Sequence, residues 1–164
     1  MQKLLAMSFA VLSSFGASAH AAELCKSAYS TELAKLSQAE NDDWASVAKN
    51  PRGVIATAVR DQARRKRVDE IQKAGGLCSA EDFLAAAIVM SHGVFVVEDI
   101  KAIKFASTAL ALDPTLTQAN QPFRVAIDQI AVRARGDQLY GTVIETKNGV
   151  DMPVPVMPGF IPND

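Results

Sequence analysis

Two histidines occur in this chain, and only one sits where it could do chemistry. His92 lies in Ser91-His92-Gly93, whereas His20 falls in an N-terminal stretch that reads as a removable leader. An imidazole titrates near neutral pH, so His92 suits acid–base work, a ligand contact or the capping of a helix C-terminus. The basic run Arg64-Arg65-Lys66-Arg67 is flanked by Asp61, Asp69 and Glu70 at helical pair spacing. Such pairs decorate a solvated helix face. One stripe departs from that pattern, because Asp61, Arg64, Val68 and Ile71 recur at helical spacing and share a face. If Val68 and Ile71 face a core, Asp61 and Arg64 approach it as well. Asp128 lies between Val125 and Val132 in the same manner, and Tyr140 follows in Gln138-Leu139-Tyr140-Gly141-Thr142. Charges near a core must be held by partners. Asp61, Arg64, Arg65, His92, Asp128 and Tyr140 are therefore candidates for one converging polar cluster. Its chemistry would be that of structural glue, of a weak binding pocket, or of a base (His92) oriented by Asp61 or Asp128, with an arginine to hold an anion.

Recognised catalytic constellations are missing: no G-x-S-x-G, no H-E-x-x-H and no phosphate-cradling glycine loop. No cofactor and no metal site are expected. Besides the leader, Cys25 and Cys78 are the cysteines, which permits one pairing. Two thiols alone are too few for a zinc site. A disulfide between them would close a loop of about 50 residues and stabilise by roughly 4 kcal/mol in the chain-entropy picture. The net charge of −1 argues against a dedicated nucleic-acid binder.

The elements that must position these residues are mostly helical. Residues 1–21 read as a signal peptide: Lys3, an apolar run from Leu4 to Phe15, then Ala17-Ser18-Ala19 and Ala19-His20-Ala21 as small-x-small cleavage patterns. Leu24 before Cys25 speaks against lipid attachment. The apolar run is shorter than the roughly 20 residues a span requires, and no second one follows, so no transmembrane segment is expected after cleavage. Residues 22–156 form one expected domain, a mainly α bundle of about five helices with a C-terminal β-hairpin. The periodicity predicts helices over Glu23–Glu40, Val54–Ala74, a third starting after Ser79 and stopping at Gly93, Glu98–Leu112, and Thr117 or Asn120 to Arg135. Asn41-Asp42-Asp43 reads as an interruption, and Trp44 as the start of a short separate segment. Gly141–Thr146 and Val150–Val156 read as strands joined by Asn148-Gly149. Residues 157–164 read as a loose tail.

Two resemblances follow from these residues. Phe83 through Ala109-Leu110-Ala111-Leu112-Asp113-Pro114 to Ala119 resembles a single tetratricopeptide-like helical hairpin, without a second copy. The order Asp61…Arg64-Arg65, His92-Gly93, Asp128 and Gln138-Leu139-Tyr140-Gly141-Thr142 resembles an uncharacterised bacterial domain family with Asp…Arg-Arg, Gln-His-Gly, Asp-Arg and Gln-x-Tyr-Gly-Thr motifs. Ser91, Gln129 and Val143 depart from that pattern, standing where the family has Gln, Arg and Gln. The resemblance implies that the six polar residues belong together and brings no activity with it. The sequence is thus read as a periplasmic or secreted helical domain. Its expected role is a non-enzymatic binding or protein-interaction module with a possible protein partner in the cell envelope. The alternative is a hydrolase-like enzyme built on His92 and an aspartate. The oligomeric state is left open.

Overall fold

The computed structural model describes the backbone of residues 17–147 and 150–159, and the side chains of residues 28–50, 52–145 and 151–159. Among these residues there are five α-helices: α1 (Ala17–Lys49), α2 (Val54–Lys73), α3 (Ala80–Met90), α4 (Val96–Leu112) and α5 (Asn120–Arg135). They are followed by the antiparallel pair β1 (Ile144–Lys147) and β2 (Val150–Pro153). The mainly α fold with a C-terminal hairpin is the one the sequence predicts. None of the described helices is long and apolar enough to cross a membrane.

α3 is the centre of the bundle and touches each of the other four helices. Its composition explains why. Ala85, Ala86, Ala87, Val89 and Met90 are all buried, so it is apolar on several sides, as a helix surrounded by others must be. Ala102, Ala106 and Ala109 on α4 face it with small side chains that let the two backbones approach, and Phe105 fills the space beside Phe83. α3 and α4 thus pack against each other as a helical hairpin. The start of α3 is fixed by a reciprocal cap: Ser79 Oγ accepts the Asp82 N–H at 3.2 Å, and Asp82 Oδ2 accepts the Ser79 N–H at 3.0 Å. α5 ends at Gly136, whose φ of +84° is the left-handed conformation glycine adopts without strain.

Three boundaries differ from expectation. α1 does not break at Asn41-Asp42-Asp43 but runs on to Lys49. These acidic side chains are engaged outside the backbone: Asp42 accepts from Gln38 one turn earlier at 2.8 Å, and Asp43 receives two bonds from Arg60 of α2 at 2.8 and 2.7 Å. Occupied in this way, they no longer compete for backbone N–H groups. α4 starts at Val96 rather than Glu98, because Glu98 reaches back and accepts the N–H groups of Val94 and Phe95 at 2.8 and 3.0 Å. The strands are shorter than predicted, since 141–143 belong to a loop pinned to α5. Beyond β2, Val156 makes an isolated bridge with Gln138, and Met157 N–H donates to Gln138 O at 2.8 Å, so the tail is held at its first residue. Residues 1–16, the Asn148-Gly149 turn, residues 160–164 and the Cys25 side chain lie outside the described residues. Residues 1–16 of the expected signal peptide and the expected bridge from Cys25 to Cys78 fall there, while residues 17–21 belong to α1.

Candidate functional site

α2 brings Asp61, Arg64 and Arg65 to the inside of the bundle, where all three are buried. Arg64 is the hub. It pairs with Asp61 on its own helix and with Glu40 and Asp43 on α1. Burial raises the pKa of Glu40 and of Asp61 more than the guanidinium lowers it, while the Arg60 hydrogen bonds hold Asp43 down at about 2. Glu40 also accepts the indole N–H of Trp44 at 3.1 Å.

Arg65 turns the other way. Its Nε donates to Glu98 at 2.9 Å, and its Nη1 to the carbonyl of His92 at 3.4 Å. A third pairing lies across the cleft, where Arg133 of α5 bonds Asp99 of α4 and donates to Gly93 O at 3.2 Å and Gln129 Oε1 at 3.0 Å. Asp99 is wholly buried, with Oδ1 unpartnered, and burial pushes its pKa up to about 6 against the pull of Arg133.

His92 sits among these three groups. Its ring stacks on Trp44 at 5.0 Å between centroids and 18° between planes. Burial, with Arg65 and Arg64 nearby, lowers its pKa to about 4, so the imidazole is neutral at physiological pH. Among the described residues no group is hydrogen-bonded to either ring nitrogen. His92 lines a cleft of about 700 Å³. Trp44, Asp61, Arg65 and His92 line one side, and a mixed face of α5 (Gln121, Val125, Gln129, Val132 and Arg133) and the segment Thr142–Ile144 supply the facing walls.

The convergence expected from sequence therefore holds for Asp61, Arg64, Arg65 and His92 and fails for Asp128 and Tyr140. Asp128 is consumed by the chain that follows its own helix. Oδ1 accepts the N–H groups of Leu139 and Tyr140 at 2.7 and 2.8 Å, and Oδ2 accepts the N–H and hydroxyl of Thr142 at 2.8 and 2.7 Å. Tyr140 lies under the Arg124 guanidinium, 5.5 Å from its ring centroid. Both residues shape the wall that Thr142 presents without entering the cleft. Gln138 adds to the clamp, its side chain bonding both the N–H and the C=O of Val143.

No protein-family model, curated protein or solved structure matches the chain. The site is accordingly read from its own geometry. Sequence reasoning missed Trp44, Glu40, Asp43, Glu98, Asp99 and Arg133. A signal was present for one of them: Gln121, Val125, Gln129 and Arg133 follow one another at four-residue spacing, a mixed stripe that marks the cleft face of α5. The Gln129 side-chain amide donates to the backbone carbonyl of Ser91 at 2.9 Å, which ties α5 to the end of α3. Among the described residues no group of three or more His, Cys, Asp or Glu side chains could hold a metal ion.

The lowered pKa has a measurable consequence. A histidine whose folded pKa lies below its unfolded value near 6.5 stabilises fully above that value and loses the contribution as pH falls toward 4, because the unfolded chain takes up the proton first. Asp99 acts with the opposite sign between its unfolded value of 3.8 and about 6. The informative quantity is therefore the stability of the protein minus that of His92→Gln. We expect this difference to shrink by about 2 kcal/mol between pH 7.5 and pH 4.5 in urea denaturation, the full shift being discounted for a ring that is only partly enclosed. A difference independent of pH would show that His92 is not held neutral by its surroundings.

Proposed function

We propose that this protein is an exported, non-enzymatic binding module whose ligand seat is the cleft at His92. The observation that carries the reading is the imidazole itself: neutral, with no hydrogen bond to either ring nitrogen among the described residues, in a cleft that mixes valine and isoleucine side chains with Gln121, Gln129, Arg133 and Thr142. Such an arrangement of convergent polar atoms among apolar side chains is what small-ligand sites present. A general base would instead be oriented by a carboxylate. Here Asp61 is bound to Arg64, Asp128 is fully engaged by the loop after α5, and neither bonds His92.

Trp44 is the single tryptophan of the chain and reports on the cleft without a label. Titration with the neutral probe N-benzylacetamide is expected to change Trp44 emission saturably, and His92→Ala should weaken binding at least tenfold. The hydrolase-like alternative draws on His92 and Asp61 sharing the cleft. Turnover of p-nitrophenyl acetate above background that disappears in His92→Ala would replace the binding reading with that one.

Export rests on the leader-like N-terminus, and with it the placement in the periplasm or outside the cell. The Cys25–Cys78 disulfide is part of the same proposal, since an oxidising compartment permits it. Intact mass of the protein recovered from its compartment should show cleavage between Ala19 and Glu23, together with the loss of the two hydrogen atoms that oxidation to a disulfide removes. Retention of Met1 would refute export by this route.

A further inference from the structure

The chemistry of the ligand can be narrowed, resting on the reading of the cleft as a ligand seat. Charge is the first constraint. Each charged side chain lining the cleft is already paired inside the protein: Asp61 with Arg64, Arg65 with Glu98, and Arg133 with Asp99. A charged ligand finds no uncompensated partner there, and desolvating it would go unrewarded. The complementary occupant is uncharged.

The mouth supplies the second constraint. Val54, Val94 and Ile144 line the cleft and are 43%, 61% and 63% exposed, and Ile55, Val59 and Phe95, each next in sequence to a lining residue, are exposed as well.

The third constraint is the edge of β1. Val154 N–H donates to Val143 O at 3.1 Å, which makes Val143 an inward-bonding residue of the antiparallel pair. By the alternation of such ladders, the N–H and C=O of Ile144 turn away from β2. Among the described residues no third strand takes them up. An edge of this kind is a template for another strand. Thr142, Val143 and Ile144 form a wall of the cleft, so the edge and the apolar seat adjoin.

We propose that the cleft takes an extended, uncharged peptide segment of another polypeptide, which adds as a strand to the edge of β1 at Ile144 and seats an apolar side chain between α2 and α5 beside the Trp44–His92 stack. Main-chain bonds at Ile144 supply register, and His92 bonds a peptide carbonyl or N–H inside the cleft.

The probe is the capped heptapeptide acetyl-Thr-Val-Thr-Phe-Thr-Val-Thr-amide, read by Trp44 emission. It is expected to bind at least tenfold more tightly than N-benzylacetamide. Of its two alternately N-methylated forms, one should bind at least tenfold more weakly and the other about as well as the parent, because only one edge of the peptide faces β1. Ile144→Pro removes the outward N–H without touching the pairing to β2. Because the Ile144 side chain also lines the cleft, both affinities should fall, but the heptapeptide should weaken at least tenfold more than N-benzylacetamide, with a thermal melt confirming that the variant is folded. If both methylated forms bind like the parent, strand addition is overturned. If N-benzylacetamide binds and the heptapeptide binds no better, the peptide class falls while the binding reading stands; if neither binds, both fall. A Lys/Glu-substituted heptapeptide that binds equally well would overturn the uncharged occupant. Sedimentation showing a dimer dispersed by Phe95→Glu, with no peptide binding, would assign the rim to a second copy of this chain and overturn the proposal.

Discussion

Asp128→Ala is expected to destabilise the protein by about 4 kcal/mol, at the upper end of what single substitutions do. Its carboxylate accepts four hydrogen bonds, from the N–H groups of Leu139, Tyr140 and Thr142 and from the Thr142 hydroxyl. Hydrogen bonds to a charged acceptor contribute about 1.5–3 kcal/mol each, and donors left buried without a partner add their desolvation penalty. The full sum is not reached, because part of the loop can relax toward water. Asp128→Asn separates charge from shape. Its amide keeps one acceptor oxygen, so the two donors on one side keep a partner while those on the other meet an NH₂ group; about half the loss is expected. Urea denaturation at pH 7 measures both, and amide exchange should show Leu139, Tyr140 and Thr142 losing protection together. The effect would extend to the cleft, because Thr142 and the two residues after it form one of its walls. A loss below 1 kcal/mol for Asp128→Ala would mean that the loop is held by Gln138 alone.

Asp128 also shows how far a sequence can be read. Its position on an apolar stripe correctly marked it as a buried charge in need of partners. Periodicity along a helix says that a side chain points inward, but nothing about what meets it there. The partners turned out to be backbone groups ten to fifteen residues on, where Gly136 turns the chain back along α5. The same distinction runs through the rest of the molecule. Ser79 with Asp82, and Gly136 at the end of α5, act through bonds within a few residues and were legible. The continuity of α1 through Asn41-Asp42-Asp43 was not, because it depends on Arg60 and Arg64, which occupy Asp43 from the next helix. In the cleft, His92 stood out by residue type and Asp61 by stripe. Trp44 and Asp99 carried no local mark, since each acquires its role only when a distant helix delivers His92 or Arg133 to it.

Arg64→Met should cost about 3–5 kcal/mol at pH 8, the penalty for leaving buried charge uncompensated. Glu40 and Asp61 are essentially inaccessible, and Arg64 is their shared cation. With it gone, Asp43 still has Arg60, but the two buried carboxylates have no cation in hydrogen-bond contact. Burial already raises both pKa values in the intact protein, so removing the guanidinium raises them further. A carboxylate whose folded pKa exceeds its unfolded value binds more protons in the native state, so its contribution to stability falls as pH rises through the folded pKa. The deficit of the variant is therefore expected to be largest at pH 8 and to shrink toward pH 5, as Glu40 and Asp61 take up protons and become neutral. His92 must be removed from the comparison, because Arg64 also helps to lower its pKa and the loss of that repulsion would change acid stability in the same direction. Measuring Arg64→Met in a His92→Gln background isolates the carboxylates. Arg64→Lys, which keeps the charge but reaches fewer acceptors, should recover part of the loss at pH 8 and show a weaker dependence on pH. A deficit that stays constant or grows on acidification would show that Arg64 stabilises by packing its stem between α1 and α2 and not by neutralising the charges it joins.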